Sequence, residues 1–137
     1  MLFSDVTGGG SEPSLGAPKK RVLIAEDSET SAAVLSRALR SLGVEVVVVG
    51  DGVEAARTIA EDPPDVLIVD IIMPKMNGFE LCRALRADPR FEKLPIIFVT
   101  AMDRESDRYW GYKQGADEFL VKPVDADLLR ATVSAYI

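Results

Sequence analysis

Val66-Leu67-Ile68-Val69-Asp70-Ile71-Ile72-Met73-Pro74-Lys75-Met76-Asn77-Gly78 is the stretch on which the fold turns. Four consecutive aliphatic residues with no polar residue between them describe a strand covered on both faces, as a parallel sheet demands. The strand stops at a carboxylate, and Pro74, Asn77 and Gly78 then punctuate a loop that opens a helical pattern. The same grammar repeats in both directions. Short apolar runs at residues 22–25, 44–49, 66–69 and 96–99 read as strands buried on both faces, with a fifth, weaker strand at 118–121. Helical patterns lie between and after them at 28–42, 52–61, 77–87, 104–114 and 125–136. In the first, Ala32, Leu35, Leu39 and Leu42 mark one apolar stripe, and Gly43 supplies the stop. Strands and helices alternating in this way imply a three-layer α/β sandwich with right-handed crossovers.

The chain of 137 residues allows one domain, long enough to bury a core without disulfide or zinc staples. Residues 1–18, with Gly8-Gly9-Gly10, Pro13, Gly16 and Pro18, lack any apolar period and read as a flexible leader, so the folded domain is expected at 19–137. The formal charge of −6 makes the domain a poor binder of nucleic acid or of anionic membranes. Histidine is absent, which removes the commonest general base, the histidine triads and the usual zinc sites. The single Cys82 can form no internal disulfide and sits in a helical pattern as a small buried hydrophobe. No run is long enough to span a bilayer and no signal peptide is visible, so a cytoplasmic protein is expected. The chain stops at Ser134-Ala135-Tyr136-Ile137 inside an apolar helical pattern, which suggests a domain cut from a longer protein.

In an open parallel sheet, ligands bind beyond the carboxyl ends of the strands. After the first strand come Glu26 and Asp27, after the third Asp70, after the fourth Thr100, and after the fifth Lys122-Pro123. Each alone has an ordinary explanation: a helix cap for Asp27 or Thr100 (with Asp103 better placed for the latter task), a solvated charge for Lys122. Together they place three carboxylates, a hydroxyl and an ammonium on one rim. Carboxylates so gathered repel unless a cation offsets them, and an oxygen-only donor set favours a hard ion, magnesium first. Magnesium bridges to phosphoryl oxygens, so a phosphoryl group is the implied substrate, with Lys122 and Thr100 binding its oxygens. Asp70, central among them, is the candidate nucleophile that would form an acyl phosphate.

The stretches Val22-Leu23-Ile24-Ala25-Glu26-Asp27, Val66 to Gly78, Phe98-Val99-Thr100-Ala101 and Gly115-Ala116-Asp117-Glu118-Phe119-Leu120-Val121-Lys122-Pro123 closely resemble the receiver domain of two-component response regulators. The resemblance implies a (βα)5 doubly wound, flavodoxin-like fold, its five-stranded parallel sheet in the order 2-1-3-4-5. It implies that Asp70 accepts a phosphoryl group from a histidine kinase or a phosphotransfer protein, and that the domain is otherwise no enzyme. Magnesium would be held by Glu26, Asp27, Asp70 and the backbone carbonyl of Ile72. Thr100 and Phe119 would form the switch pair, the ring turning inward as the hydroxyl approaches the phosphoryl group, and the Lys122–Pro123 peptide would be cis. Two positions depart from the common pattern: Glu26 stands where many receivers carry Asp, and Phe119 lacks the hydroxyl of the frequent Tyr. Ile72 and Met102, two residues beyond Asp70 and Thr100, offer no group to position a hydrolytic water, which implies slow autodephosphorylation.

Three rival readings fit parts of the sequence. Gly50-Asp51-Gly52-Val53-Glu54-Ala55 fits a dinucleotide-binding fingerprint, with Asp70 placed like a ribose-binding acid, yet Asp51 and Glu54 would repel a pyrophosphate and the second half of that fold is missing. A haloacid-dehalogenase-like phosphatase typically needs a second Asp where Ile72 stands. A degenerate receiver acting only as an interaction module keeps no need for the full acid set. On the helix at 104–114, Tyr109 and Tyr112 are expected on the core side, and Trp110 lines up with Ser106 and Lys113. Trp110 reads either as a ring lying on its neighbours or as part of a phosphorylation-dependent contact with a second copy or an effector domain.

Overall fold

The computed structural model describes residues 19–137, so the leader expected at 1–18 lies outside the described residues. Five strands, β1 (Arg21–Ala25), β2 (Glu45–Val49), β3 (Val66–Val69), β4 (Ile96–Thr100) and β5 (Glu118–Val121), form one parallel sheet in the order 2-1-3-4-5. Five helices alternate with them: α1 (Glu29–Leu39), α2 (Gly52–Glu61), α3 (Gly78–Arg86), α4 (Glu105–Gln114) and α5 (Ala126–Ser134).

The side-chain period of two divides the central strands between two cores. Val22, Ile24, Val66, Ile68, Ile97 and Val99 face α1 and α5, where Leu35, Leu39, Leu129 and Val133 close over them. Leu23, Leu67, Val69, Ile96 and Phe98 face the other way, onto Ala55 and Ile59 of α2 and Leu81, Cys82 and Leu85 of α3. Both faces of β1, β3 and β4 are therefore dry, as their unbroken apolar runs require.

Helix starts follow local capping chemistry. Ser28, Asp51 and Asp125 each accept a backbone N–H three residues on, and Asn77 and Glu80 exchange reciprocal bonds at the start of α3. Gly43 and Gly115, with φ of +70° and +112°, end the first helical segment and α4.

Three local expectations are corrected. β2 lies at the sheet edge, as the expected order 2-1-3-4-5 requires, but it is not buried on both faces: Val48 is 45% exposed. Asp103 does not cap α4; the helix begins after Arg104, whose N–H donates to the carboxylate of Asp107 at 3.1 Å. Tyr109 is exposed instead of facing the core, and Tyr112 only flanks it, 42% exposed with its ring centroid 6.5 Å from that of Phe119. The core side of α4 is taken by Gly111, where a Cβ would stand 2.8 Å from the ring of Phe119. The helix rides so close to β5 that no large side chain fits beneath it.

Candidate functional site

The carboxyl ends of the strands converge on a small acidic rim. Glu26 follows β1 and is held in line by its N–H to the carbonyl of Val49, while Asp70 follows β3 through an N–H to Ala25. Lys122 follows β5, with its N–H on the carbonyl of Thr100, and the Lys122–Pro123 peptide is cis. Glu26 and Asp70 are 4% and 7% exposed, and Thr100 is fully buried.

The ammonium of Lys122 stands between the two acids. It donates to Oε1 of Glu26 at 2.5 Å and to Oδ2 of Asp70 at 2.8 Å, with the hydroxyl of Ser31 at 3.4 Å. The remaining oxygens take backbone donors: Oε2 of Glu26 accepts from Ser28 N–H, and Oδ1 of Asp70 from Ile72 N–H. All four carboxylate oxygens are thereby satisfied, the condition under which buried charge is tolerated. Burial pushes the carboxyl of Glu26 above its usual range, against the pull of the Lys122 and Ser28 hydrogen bonds, and the nearby charge of Asp70 adds to the rise. For Lys122, burial works downward, but the hydrogen bonds to Asp70 and Glu26 outweigh it and hold the ammonium above the ordinary lysine value.

The site is framed by close backbone approaches. A Cβ on Gly78 would fall 2.4 Å from the carbonyl oxygen of Asp70, so only glycine lets α3 start directly under the acceptor. A Cβ on Gly52 would fall 2.1 Å from the carbonyl oxygen of Met76, and Lys75 pairs with Asp51 at 3.5 Å. The second glycine of the dinucleotide-like fingerprint therefore receives the loop after β3.

The expected residues are only partly gathered. Asp27 is exposed, outside the Lys122 pair, and among the described residues no three His, Cys, Asp or Glu side chains form a ready-made metal cluster. One ammonium bridges two carboxylates, which relieves the repulsion that three acids on one rim would suffer. The donor chemistry nonetheless fits a hard divalent cation, because every group offered is an oxygen: two buried carboxylates, the exposed Asp27 and the loop carbonyls. Oγ1 of Thr100 accepts from Met102 N–H at 3.3 Å. The side chain of Ile72 is 61% exposed.

Phe119 is turned inward and 3% exposed, tilted against Phe98 with ring centroids 6.0 Å apart. Trp110 lies half-exposed, edge-on to Tyr109 at 5.3 Å. Sequence reading missed Ser28 and Ser31 as partners of the acid–lysine set; the helix-cap signal at Ser28 was the one cue to their position.

This fold and rim define a class. Residues 22–134 match the family model of the response regulator receiver domain, and the chain belongs to that family of two-component signalling modules. It is 41% identical to protein PilH of Pseudomonas aeruginosa over 120 residues, covering 85% of this chain and 97% of PilH. It is 38% identical to response regulator PleD of Caulobacter vibrioides, covering 82% of this chain and 25% of PleD. Identity to the phosphate regulon regulator PhoB of Rhizobium meliloti is 40%, covering 85% of this chain and 52% of PhoB. Among solved structures, chemotaxis protein CheY4 of Vibrio cholerae superposes with a TM-score of 0.80 at 31% identity, covering 87% of this chain and 99% of that one. The receiver domain of sensor histidine kinase PA1611 from Pseudomonas aeruginosa, described with a magnesium ion coordinated in its active-site cleft, gives 0.79 at 29% identity, covering 88% and 98%. Members of this family are signalling modules, not conventional enzymes. Among the described residues, no helix is long and apolar enough to cross a membrane.

Proposed function

We propose that the domain at 19–137 is a phosphoacceptor in a two-component relay, acting in the cytoplasm, with Asp70 as the acceptor. The observation that carries this reading is the placement of the Lys122 ammonium 2.8 Å from a buried carboxylate at the end of the central strand. A carboxylate oxygen of Asp70 attacks the phosphorus of a phosphohistidine on a histidine kinase or phosphotransfer protein. The P–O bond forms as the P–N bond breaks, and the imidazole leaves with a proton from solvent.

Lys122 already lies beside the Asp70 carboxylate, so its charge can follow the electron density from Asp70 onto the phosphoryl oxygens without a long movement. Thr100, buried at the end of β4, accepts from Met102 N–H through a lone pair, so its hydroxyl hydrogen can donate to a phosphoryl oxygen. Glu26, Asp27, Asp70 and the carbonyl of Ile72 would hold magnesium, which supplies further neutralisation of phosphoryl charge. Thr100 and Phe119 then form the pair whose arrangement carries the signal to α4 and β5, and through them to an effector domain or a second copy.

The direct test is intact-protein mass after incubation with acetyl phosphate and magnesium, comparing wild type with Asp70→Asn. One added phosphoryl group on wild type alone supports the reading. Equal masses for both proteins, with and without a kinase donor, refute it and leave a phosphorylation-independent interaction module.

A further inference from the structure

The ring of Phe119 is closed in from one side by a single helix face. Arg108, Gly111 and Tyr112 are spaced three and four apart on α4, so all three meet β5. Arg108 sets its guanidinium carbon 5.1 Å from the centroid of the Phe119 ring and donates from NH1 to the Phe119 carbonyl at 3.1 Å. Gly111 provides the room, since a Cβ there would lie 2.8 Å from Cδ2 and 3.0 Å from Cε2 of that ring. Tyr112 and Phe98 flank it at 6.5 Å and 6.0 Å. None of these contacts comes from Glu26, Asp70 or Lys122.

We infer that Arg108 is a positioning residue for Phe119: its cation and its hydrogen bond hold the ring inward independently of events at Asp70. Arg108 is itself exposed, and its guanidinium lies over the buried ring as a lid. The geometry has two consequences. The surface formed by α4 and β5 rests in the ring-inward arrangement, and the site is biased toward accepting the phosphoryl group because that arrangement needs no further rearrangement of the ring. The second consequence rests on the phosphoacceptor reading above; the first does not.

Losing one cation–π contact and one hydrogen bond at a partly exposed position should shift the inward-to-outward ratio about tenfold. By linkage, apparent affinity for a phosphoryl mimic falls by the fraction of protein left in the competent arrangement. The experiment places 4-fluorophenylalanine at position 119 and follows its 19F resonance in the full chain, with and without magnesium and beryllofluoride. Wild type should give one solvent-shielded resonance. Arg108→Met, which keeps the stem but not the cation, should add a second resonance sensitive to exchange of H2O for D2O, and Arg108→Lys should suppress it again. Gly111→Ala should produce the same outward resonance by sterics alone. Beryllofluoride should collapse the outward resonance of Arg108→Met, with a dissociation constant raised above wild type by the inverse of the inward fraction. A single shielded resonance in Arg108→Met, or equal spectra for the Met and Lys variants, overturns the role of the cation. An outward resonance that appears in Arg108→Met but ignores beryllofluoride keeps that role and refutes the phosphoacceptor reading instead.

Discussion

Cys82 offers a stability measurement whose sign should invert with pH. Its side chain is fully buried on α3, among Leu81, Leu85 and the inner face of the sheet, and Sγ–H donates to the carbonyl of Gln114 at 3.4 Å. Burial pushes the thiol up to about 11 from 9.0, with Arg86 pulling weakly the other way. The folded pKa is raised, so the thiol's contribution is fully present below pH 9 and is lost as pH climbs toward 11. From those two values, the unfolded chain gains about 1.4 kcal/mol over the native state at pH 10. Cys82→Ala removes the titration and leaves a void the size of one heavy atom, costing about 1 kcal/mol. Wild type should therefore be the more stable protein by about 1 kcal/mol at pH 7.5, and the variant the more stable by a few tenths at pH 10. Urea unfolding of both proteins at the two pH values measures this, and every other titrating group cancels in the difference. A wild-type advantage that stays constant across that range would refute the claim that Cys82 sits in an apolar, water-free environment.

Further expectations follow from the site and its frame. Gly52→Ala should cost at least about 2 kcal/mol in urea unfolding and slow phosphorylation by acetyl phosphate, because the new Cβ meets the backbone of Met76, whereas Gly50→Ala, with open space around it, should stay within about 0.5 kcal/mol of wild type. Ile72→Asn should accelerate decay of the phosphorylated protein several-fold by giving a hydrolytic water a partner beside Asp70; unchanged decay, followed by mass spectrometry, counts against that. Trp110→Ala should leave stability within about 0.5 kcal/mol, since the ring is half in water, and should abolish any beryllofluoride-dependent self-association seen by sedimentation.

Much of the fold was legible because its logic is local. Unbroken apolar runs mark strands dry on both faces, and the residue after each run lands on the same rim, so the places of Glu26, Asp70, Thr100 and Lys122 are legible in the sequence. The exposure of β2 was misread because four successive valines resemble an interior strand, although Glu45 and the edge place given by the order 2-1-3-4-5 both pointed to an open flank. The helix of Tyr109 and Tyr112 was misjudged for a related reason. Aromatic bulk normally seeks the core, but here a glycine takes the inward place, Tyr109 is left in solvent and Tyr112 only flanks Phe119. The three-acid cluster was inferred from chain position, whereas one lysine satisfies two of the acids and Asp27 remains in solvent. Close approaches at Gly52 and Gly78 depend on where distant backbone runs, which no single-chain pattern records.

The bridge made by Lys122 also bears on how the domain meets its surroundings. A counter-ion joined covalently to the chain is present at an effective concentration far above that of any dissolved monovalent ion, and the two carboxylates it bridges are buried. Potassium or sodium at ordinary ionic strengths has nothing to displace and little to shield. The Glu26–Lys122–Asp70 bridge is thus little disturbed by monovalent salt, and polyvalent chemistry at the site can be registered against a quiet background.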